Sequence, residues 1–194
     1  MIIREANLLD ISKINKIYVN CWKITYKGIL PEEYLNNISY KEKEDYLLNY
    51  FEKPKSKFFV SVNDNKEIIG FVAFGEESTG QVKYRGELYF IYLLKEYKGK
   101  GIGKLLINKA IDELEKSNII SMLIWALEKN PTCKFYEYLG GTKTFERYSV
   151  YNGENFKDVA YIWDDIKTIK NNWVVIFFYV DASSPYHSMW GLVY

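Results

Sequence analysis

Residues 87–126 contain, in order, a stretch that is apolar on both faces, a run of spaced glycines and an amphipathic segment. The stretch Glu87 to Leu94 has the continuous apolar character of a strand that is buried on both sides. Ile102 to Lys116 repeats apolar residues at helical spacing, and Ser121 to Ala126 is a further apolar strand. The order predicts a strand-helix-strand crossover within one sheet. Strict alternation along 87–94 predicts two apolar faces for this strand. One face would carry Leu88, Phe90 and Tyr92, and the other Tyr89, Ile91 and Leu93.

The flanking sequence predicts further helices and strands on both sides of this unit. The N-terminal part predicts a strand at 2–4, a helix from Asp10 to near Trp22, a short helix from Pro31 to 35 and a helix at 40–51. Strands follow at 57–62 and 67–74, joined by a turn at 63–65. After the crossover come a helix at 130–139 and strands at 144–151 and 156–163. A chain of 194 residues with this order is expected to form one domain, residues 1–168.

Charge and cysteine content narrow the functional class. With 26 Lys and Arg against 25 Asp and Glu, the net charge of +1 offers no field for nucleic acid or an anionic membrane. Cys21 and Cys133 are too few for a metal set or a disulfide framework. Charged residues already stand at positions 4 and 5 without an apolar segment before them, which is not the pattern of a signal peptide. The longest apolar run, 173–180, is too short to span a bilayer as a helix. We therefore expect a cytoplasmic protein without a metal site.

The C-terminal segment, residues 169–194, differs in composition from the rest of the chain. Its residues 173–180 (WVVIFFYV) form a dense β-prone run that would aggregate if it were left bare. Two arrangements would cover the run. It adds a strand to its own sheet, or it pairs with a second copy of the chain in a homodimer, and the pattern favours neither. The single histidine, His187, lies in this segment and receives no role.

The glycine run 97–104 (YKGKGIGK) is suited to hold a phosphate ester. Glycines let the backbone approach a ligand closely, and the free N–H groups of the next helical turn carry the positive end of the helix dipole. The spacing excludes a P-loop, because Lys98 and Leu105 stand where that loop needs Gly and Ser or Thr. It also excludes the dinucleotide fingerprint, because Lys104 and Leu106 occupy the third glycine position. A glycine-rich turn without a ligand is the alternative.

The segment 98–103 (KGKGIG) resembles the acetyl-CoA signature of the GCN5-related N-acetyltransferases, with Lys98 where that family has Gln or Arg. The resemblance extends over residues 1–166 and includes 22–31 (WKITYKGILP) and 135–140 (FYEYLG). It implies a three-layer α+β fold with a mostly antiparallel sheet and acetyl-CoA, as co-substrate, at a splayed central strand. The coenzyme residues that it implies are Leu93, Leu94, Lys98, Gly99, Lys100, Gly101, Ile102, Gly103, Lys104 and Asn130.

The resemblance also implies catalytic roles. Tyr136 stands where the family keeps the general acid that protonates the departing thiolate, and Glu87 is the candidate base for the amine. The expected oxyanion donor is a backbone N–H at a bulge near Leu93, with pantetheine paired to Leu93 and Leu94, and Asn130 is expected to contact the pantetheine arm. Judged only by type, Tyr136 could be a core residue and Glu87 an exposed charge at a strand end.

Three aromatic residues of the second segment, Trp22, Tyr26 and Tyr34, are expected to wall the acceptor pocket, although as aromatics they suit a core equally well. The function implied is transfer of an acetyl group from acetyl-CoA to the amine of a small molecule or peptide by direct attack in a ternary complex. The alternative is a non-catalytic acyl-CoA-binding module of the same fold. Cys133, one turn before Tyr136, is expected to be a small buried residue.

Overall fold

One seven-stranded sheet runs through the part of the chain that the computed structural model describes, residues 1–80 and 83–170. Its strands are β1 (Ile2–Glu5), β2 (Lys57–Val62), β3 (Ile68–Glu76), β4 (Gly86–Leu93), β5 (Met122–Leu127), β6 (Thr142–Tyr151) and β7 (Glu154–Trp163), in the order β1-β2-β3-β4-β5-β7-β6. The helices are α1 (Ile11–Thr25), α2 (Glu32–Asn36), α3 (Tyr40–Phe51), α4 (Ile102–Lys116) and α5 (Cys133–Tyr138). Short 3₁₀ turns cover Leu8–Asp10 and Lys95–Tyr97.

Neighbouring strands are antiparallel except for β4 and β5, which are parallel and joined through α4. This confirms the predicted crossover and the mixed, mostly antiparallel sheet with helices on both faces. α4 packs on one face with a core that includes Leu106, Ile111 and Met122. α1 and α3 cover the other face, where Ile14 and Phe71 are fully buried.

A bulge in β4 changes which side chains share a face. Ala73 of β3 lies opposite Phe90, and Phe74 lies opposite Leu88, so that Tyr89 is an extra residue in β4. Leu88 therefore packs on the α4 side with Ile91, whereas Phe90 packs on the α1 side. The prediction that Leu88 and Phe90 share a face was wrong, because the insertion at Tyr89 reverses the alternation from that point on. The expected bulge near Leu93 was also wrong, because the bulge lies at Tyr89.

α2 is shifted by one residue from its predicted bounds, and two other helices, α1 and α5, differ by about three residues for local reasons. α1 continues beyond Trp22 to Thr25, where the N–H of Tyr26 still donates to the Trp22 carbonyl. α5 begins at Cys133 and not at Asn130, because the Asn130 side chain accepts the Thr132 N–H and holds a turn ahead of the helix.

The last residues that the structure describes, 166–170, lie beside α4. Ile166 and Ile169 are fully buried in the α4-side core, and the Lys170 ammonium lies 2.6 Å from Asp112 and 2.8 Å from Glu115. Ile169 therefore packs in the same core as the rest of the domain, and Lys170 forms ion pairs with α4. The predicted strand or subunit contact of the run 173–180 lies outside the described residues.

Candidate active site

A cleft opens where β4 and β5 part. Their backbone pairs are Gly86 with Met122 and Glu87 with Leu123, after which the strands diverge. The Leu94 N–H donates to the Ile69 carbonyl of β3 at 2.9 Å. Successive residues of a strand turn their backbone N–H and C=O groups to opposite edges. The backbone groups of Leu93 and Ile91 therefore face the cleft. The divergence thus exposes an unpaired strand edge, to which an extended ligand can add.

The glycine turn borders one end of this cleft, at the start of α4. Gly99 and Gly101 have φ of +74° and +77°, a left-handed conformation that glycine adopts without strain. A Cβ built on Gly101 or on Gly103 would meet nothing within 4 Å. The cap residue Gly101 makes no side-chain hydrogen bond to the helix, and the first N–H groups of an α-helix have no partner within the helix, so a helix start of this kind suits an anion. The space and the donors fit a diphosphate.

The cavity measures ≈ 270 Å³ and lies between the glycine turn, the open edge of β4 and the start of α5. The structure brings together in its lining ten of the residues singled out by the sequence: Tyr26, Leu93, Lys98, Gly99, Gly101, Ile102, Gly103, Lys104, Asn130 and Tyr136. It leaves outside the lining Trp22, Tyr34, Glu87, Leu94 and Lys100. The Leu94 N–H donates to β3 and the Leu94 carbonyl accepts the Tyr97 N–H at 3.0 Å. The Lys100 ammonium stacks on the Tyr97 ring at 5.2 Å.

Tyr136, in the middle of α5, lies at the cleft wall. Its side chain is 4% exposed, and burial raises the pKa of its phenol above the ordinary value of 10. A raised pKa keeps the hydroxyl protonated at neutral pH. Tyr136 is therefore a proton or hydrogen-bond donor at the cleft.

Asn130 and Tyr26 meet across the cleft from opposite sides of the sheet's opening. The Asn130 Nδ2 donates to the Tyr26 hydroxyl oxygen at 3.0 Å, and the Asn130 Oδ1 accepts the Thr132 N–H at 2.9 Å. Tyr26 follows the last residue of α1, and burial raises the pKa of its phenol. The contact holds the end of α1 against the loop between β5 and α5.

Glu87 is buried near the closed end of the opening, at 5% exposure. It is adjacent to Leu88 in β4, so it faces the α1 and α3 side of the sheet. Its carboxylate accepts the N–H of Ser78 at 3.0 Å and the Ser78 hydroxyl at 2.8 Å. Burial raises the pKa of Glu87, while the Ser78 hydrogen bonds oppose that rise. A carboxylate with a raised pKa is suited to accept a proton.

The aromatic residues Trp22 and Tyr34 belong to a ring cluster on the α1 side. Trp22 packs edge-to-face on Tyr26 with ring centroids 4.7 Å apart. The Lys43 ammonium lies over the rings of Trp22 and Tyr34 at 5.5 Å and 6.0 Å, and burial lowers its pKa. The Lys43 Nζ also donates to the Tyr34 hydroxyl at 3.4 Å, and within residues 1–80 and 83–170 Lys43 forms no ion pair with a carboxylate.

Twelve of the lining residues were not predicted as site residues, and Cys21 and Tyr92 are two of them. Cys21 Sγ donates to the Leu93 carbonyl at 3.5 Å, and burial raises the pKa of its thiol to about 11. The Tyr92 hydroxyl accepts the Trp22 Nε1–H at 2.9 Å, which ties α1 to β4. The only signal in the sequence is helical spacing, which sets Cys21 one turn before Thr25 on the face of α1 toward the sheet. Cys133 is buried, as expected, and its Sγ donates to the Leu127 carbonyl at 3.4 Å.

Of the helices in the described residues, none is long and apolar enough to cross a membrane. The same residues contain no group of three or more His, Cys, Asp and Glu side chains that could hold a metal ion.

A sheet that parts between two parallel strands, with a glycine turn at the start of the crossover helix, is the arrangement that the resemblance to acetyltransferases implies. The model of the Acetyltransferase (GNAT) family matches residues 16–140. The chain belongs to this family.

Relatives in sequence agree with this assignment. The chain is 35% identical over 168 residues to an uncharacterized N-acetyltransferase, YuaI, of Bacillus subtilis. The matched region covers 87% of this chain and 95% of that protein. It is 28% identical over 145 residues to a spermidine N(1)-acetyltransferase of Thermoplasma acidophilum, covering 73% of this chain and 87% of the relative.

Solved structures share the fold. The PaiA N-acetyltransferase of Thermoplasma acidophilum in complex with coenzyme A superposes with a TM-score of 0.61 at 24% identity, over 81% of this chain and 96% of that one. The YncA protein of Salmonella typhimurium, a putative acetyltransferase with its cofactor acetyl-CoA, gives a TM-score of 0.62 at 20% identity, over 84% and 92%.

Proposed function

We propose that the protein transfers an acetyl group from acetyl-CoA to a primary amine of a small molecule or peptide, by direct attack within a ternary complex. The observation that carries the proposal is the cleft between β4 and β5, which has the glycine turn along one side and Tyr136 on its wall. Acetyl-CoA, when bound, supplies an activated thioester. All other chemistry falls to residues of this chain.

The coenzyme-binding part of the proposal has three components. The N–H groups at the start of α4 bind the diphosphate, and Lys98 and Lys104 add positive charge beside it. The cleft edge of Leu93 pairs with the pantetheine amides. Asn130 contacts the same arm from the other side of the cleft. Leu94 and Lys100 have no direct contact in this proposal.

The proton transfers are assigned to two residues. Tyr136 gives a hydrogen bond or a proton to the departing sulfur, because burial keeps its phenol protonated. Glu87 takes the proton of the amine, and because it lies outside the cavity lining it acts through water. The raised pKa of Glu87 supports this role, since a stronger base is the better proton acceptor.

The acceptor enters, in this proposal, from the α1 side, between the ring cluster and Glu87. A relative named for spermidine makes polyamines one class to test. The Lys43 ammonium, which stacks on Trp22 and Tyr34, favours a second class, because a cation at the acceptor side attracts amines that also carry a carboxylate. Lysine and cadaverine form a matched pair that differs only in the carboxylate.

The test is release of free coenzyme A from acetyl-CoA, followed across spermidine, cadaverine, lysine and peptide amines, with the acetylated product identified by mass spectrometry. Thiol release that depends on an amine supports the proposal. A reaction without amine serves as the control for hydrolysis. Lys43→Met should lower kcat/KM for lysine and leave that for cadaverine unchanged or higher.

A second function, a non-catalytic acyl-CoA-binding module, is favoured by one observation, the position of Glu87 outside the cavity lining. Calorimetry with acetyl-CoA separates the two functions. Binding without thiol release for any amine would support the binding module, whereas absence of binding would contradict both.

A further inference from the structure

The orientation of the Asn130 amide is fixed by its neighbours. The Thr132 backbone N–H can only donate, so the atom that faces it at 2.9 Å must be the amide oxygen. The amide nitrogen then faces Tyr26, at 3.0 Å from the phenolic oxygen. An inverted amide would set two donors against each other at Thr132.

This orientation determines the role of the Tyr26 oxygen. Since Asn130 has no acceptor to offer there, Tyr26 accepts the hydrogen bond and its own proton must point elsewhere. Tyr26 is 5% exposed and lines the cleft. Among the described residues, no acceptor receives the Tyr26 proton, which leaves the cleft as its direction.

Tyr26 is also held rigidly. Its N–H donates to the Trp22 carbonyl at 3.0 Å, and its carbonyl accepts the N–H groups of Ile29 and Leu30 at 2.9 Å and 3.0 Å. The ring packs edge-to-face on Trp22, with centroids 4.7 Å apart. A donor fixed before the reaction begins loses little free energy to reorganisation when charge develops beside it.

We propose that the Tyr26 hydroxyl donates a hydrogen bond to the carbonyl oxygen of the bound acyl thioester, with Asn130 and Thr132 orienting it. The proposal rests on the proposed function. In the transfer the amine nitrogen forms a bond to the carbonyl carbon, the carbon–sulfur bond breaks, and its electron pair leaves with sulfur. Sulfur takes a proton from Tyr136, and the amine proton passes through water to Glu87. Tyr26 keeps its proton and stabilises the negative charge on the carbonyl oxygen.

This role differs from that of an acceptor wall, which needs only the ring of Tyr26. Tyr26→Phe removes the hydroxyl and keeps the ring. Loss of one such donor lowers kcat by about 10²–10³-fold. The acceptor KM and the affinity for coenzyme A should stay within about twofold, because the contribution is made mainly as charge develops on the oxygen. Tyr84→Phe is the control and should keep the wild-type kcat, because Tyr84 is buried at 2% exposure in a separate cluster and lies outside the cavity lining.

A spectroscopic measurement tests the contact without turnover. A hydrogen bond to a carbonyl weakens the C=O bond, so acetyl-CoA labelled with ¹³C at the acetyl carbonyl should show a lower stretching frequency on the wild-type protein than on Tyr26→Phe. The Tyr84→Phe protein should give the wild-type frequency. Equal frequencies for the wild-type and Tyr26→Phe proteins would overturn the proposal.

Asn130→Asp tests the orientation itself. Aspartate keeps an oxygen for the Thr132 N–H but presents a second acceptor to Tyr26, which turns the hydroxyl proton away from the cleft. The kcat should fall toward that of Tyr26→Phe, and the double variant should be no slower than the slower single variant. Wild-type kcat in either single variant would refute the inference. If the wild-type protein releases no thiol with any amine, the proposed function fails first and the inference falls with it.

Discussion

Glu87 accepts two hydrogen bonds from Ser78, one from its backbone N–H at 3.0 Å and one from its hydroxyl at 2.8 Å. Both bonds favour the ionised carboxylate, whereas burial favours the neutral acid and prevails, so the pKa of Glu87 is raised. The serine thereby limits how far burial can raise the pKa of the candidate base.

Ser78→Ala should raise the pKa of Glu87 further, because the hydroxyl bond is lost and only the N–H bond remains. A hydrogen bond to a charged group contributes about 1.5 kcal/mol, which corresponds to about one pH unit. If Glu87 is the base, activity requires its ionised form, so the acidic limb of the kcat/KM profile should move to higher pH by about that amount. The measurement uses one acceptor for both proteins, so that the ionisation of the amine is common to them.

Glu87→Gln is the companion variant and should remove this limb together with most of the activity. A profile that keeps the wild-type limb in both variants would assign the base to another group or to water alone.

Tyr136→Phe should lower kcat by about 10²–10⁴-fold if the phenol is the general acid. The affinity for coenzyme A should change little, because the ring keeps its packing against Tyr161, at 5.7 Å between centroids. Stopped-flow thiol release and calorimetry measure the two quantities separately. Tyr84→Phe is a matched control, since Tyr84 is buried to a similar extent, at 2% exposure, but lies outside the cavity lining. Unchanged kcat in Tyr136→Phe would remove the assignment.

Local patterns predicted most of the fold. The observed bounds of α3, α4 and β2 are the predicted ones, because each is set by features a few residues apart. Ser39 caps α3 by accepting the Glu42 N–H at 3.2 Å. Gly101, the residue before α4, caps the helix start in a left-handed conformation. Such signals act over one turn and are visible in the sequence.

The bulge in β4 had no such signal. The face of a strand is read from alternation of polar and apolar residues, and the residues from Leu88 to Leu93 are all apolar or aromatic. An insertion at Tyr89 therefore changes the faces without changing the visible pattern. The bulge near Leu93 was expected from the family resemblance, which does not fix the residue at which this chain has its insertion.

Site contacts between distant residues were also out of reach. Asn130 and Tyr26 are 104 positions apart, and they meet because the strand order brings the end of α1 over the opening between β4 and β5. The sequence could nominate both residues through the family resemblance. Their mutual contact and its polarity depend on the assembled sheet.

Glu113 of α4 predicts a measurable pH dependence of stability. Its carboxylate lies 2.8 Å from the Lys116 ammonium, 2.5 Å from that of Lys57 and 3.0 Å from that of Lys109. The hydrogen bonds from Lys116 and Lys57 lower the pKa of Glu113 from 4.5 to about 2. Because the folded pKa is the lower one, the stabilisation is present above about pH 4.5 and is lost as the pH falls toward 2.

Glu113→Gln should therefore lower the free energy of unfolding by about 1–3 kcal/mol at pH 7, and the difference from wild type should shrink between pH 4.5 and 2. Urea unfolding at several pH values measures it. Asp112→Asn, on the same helix but half-exposed, should cost less than about 1 kcal/mol at pH 7. A difference between the Gln variant and wild type that does not depend on pH would contradict the ionic origin.

Gly101→Glu should abolish coenzyme binding. Space for a side chain is open at this residue, so the protein can still fold, but a carboxylate there would occupy the proposed diphosphate site and repel its charge. We expect at least about a 100-fold loss of affinity for coenzyme A, or about 2.7 kcal/mol, by calorimetry. Gly153→Glu is the control, because Gly153 has a similar φ of +80° and equally open space but lies in the turn between β6 and β7. Gly153→Glu should have the same backbone strain as Gly101→Glu but should bind coenzyme A with the wild-type affinity. If Gly101→Glu and Gly153→Glu bind coenzyme A equally well, the glycine turn is not the diphosphate site.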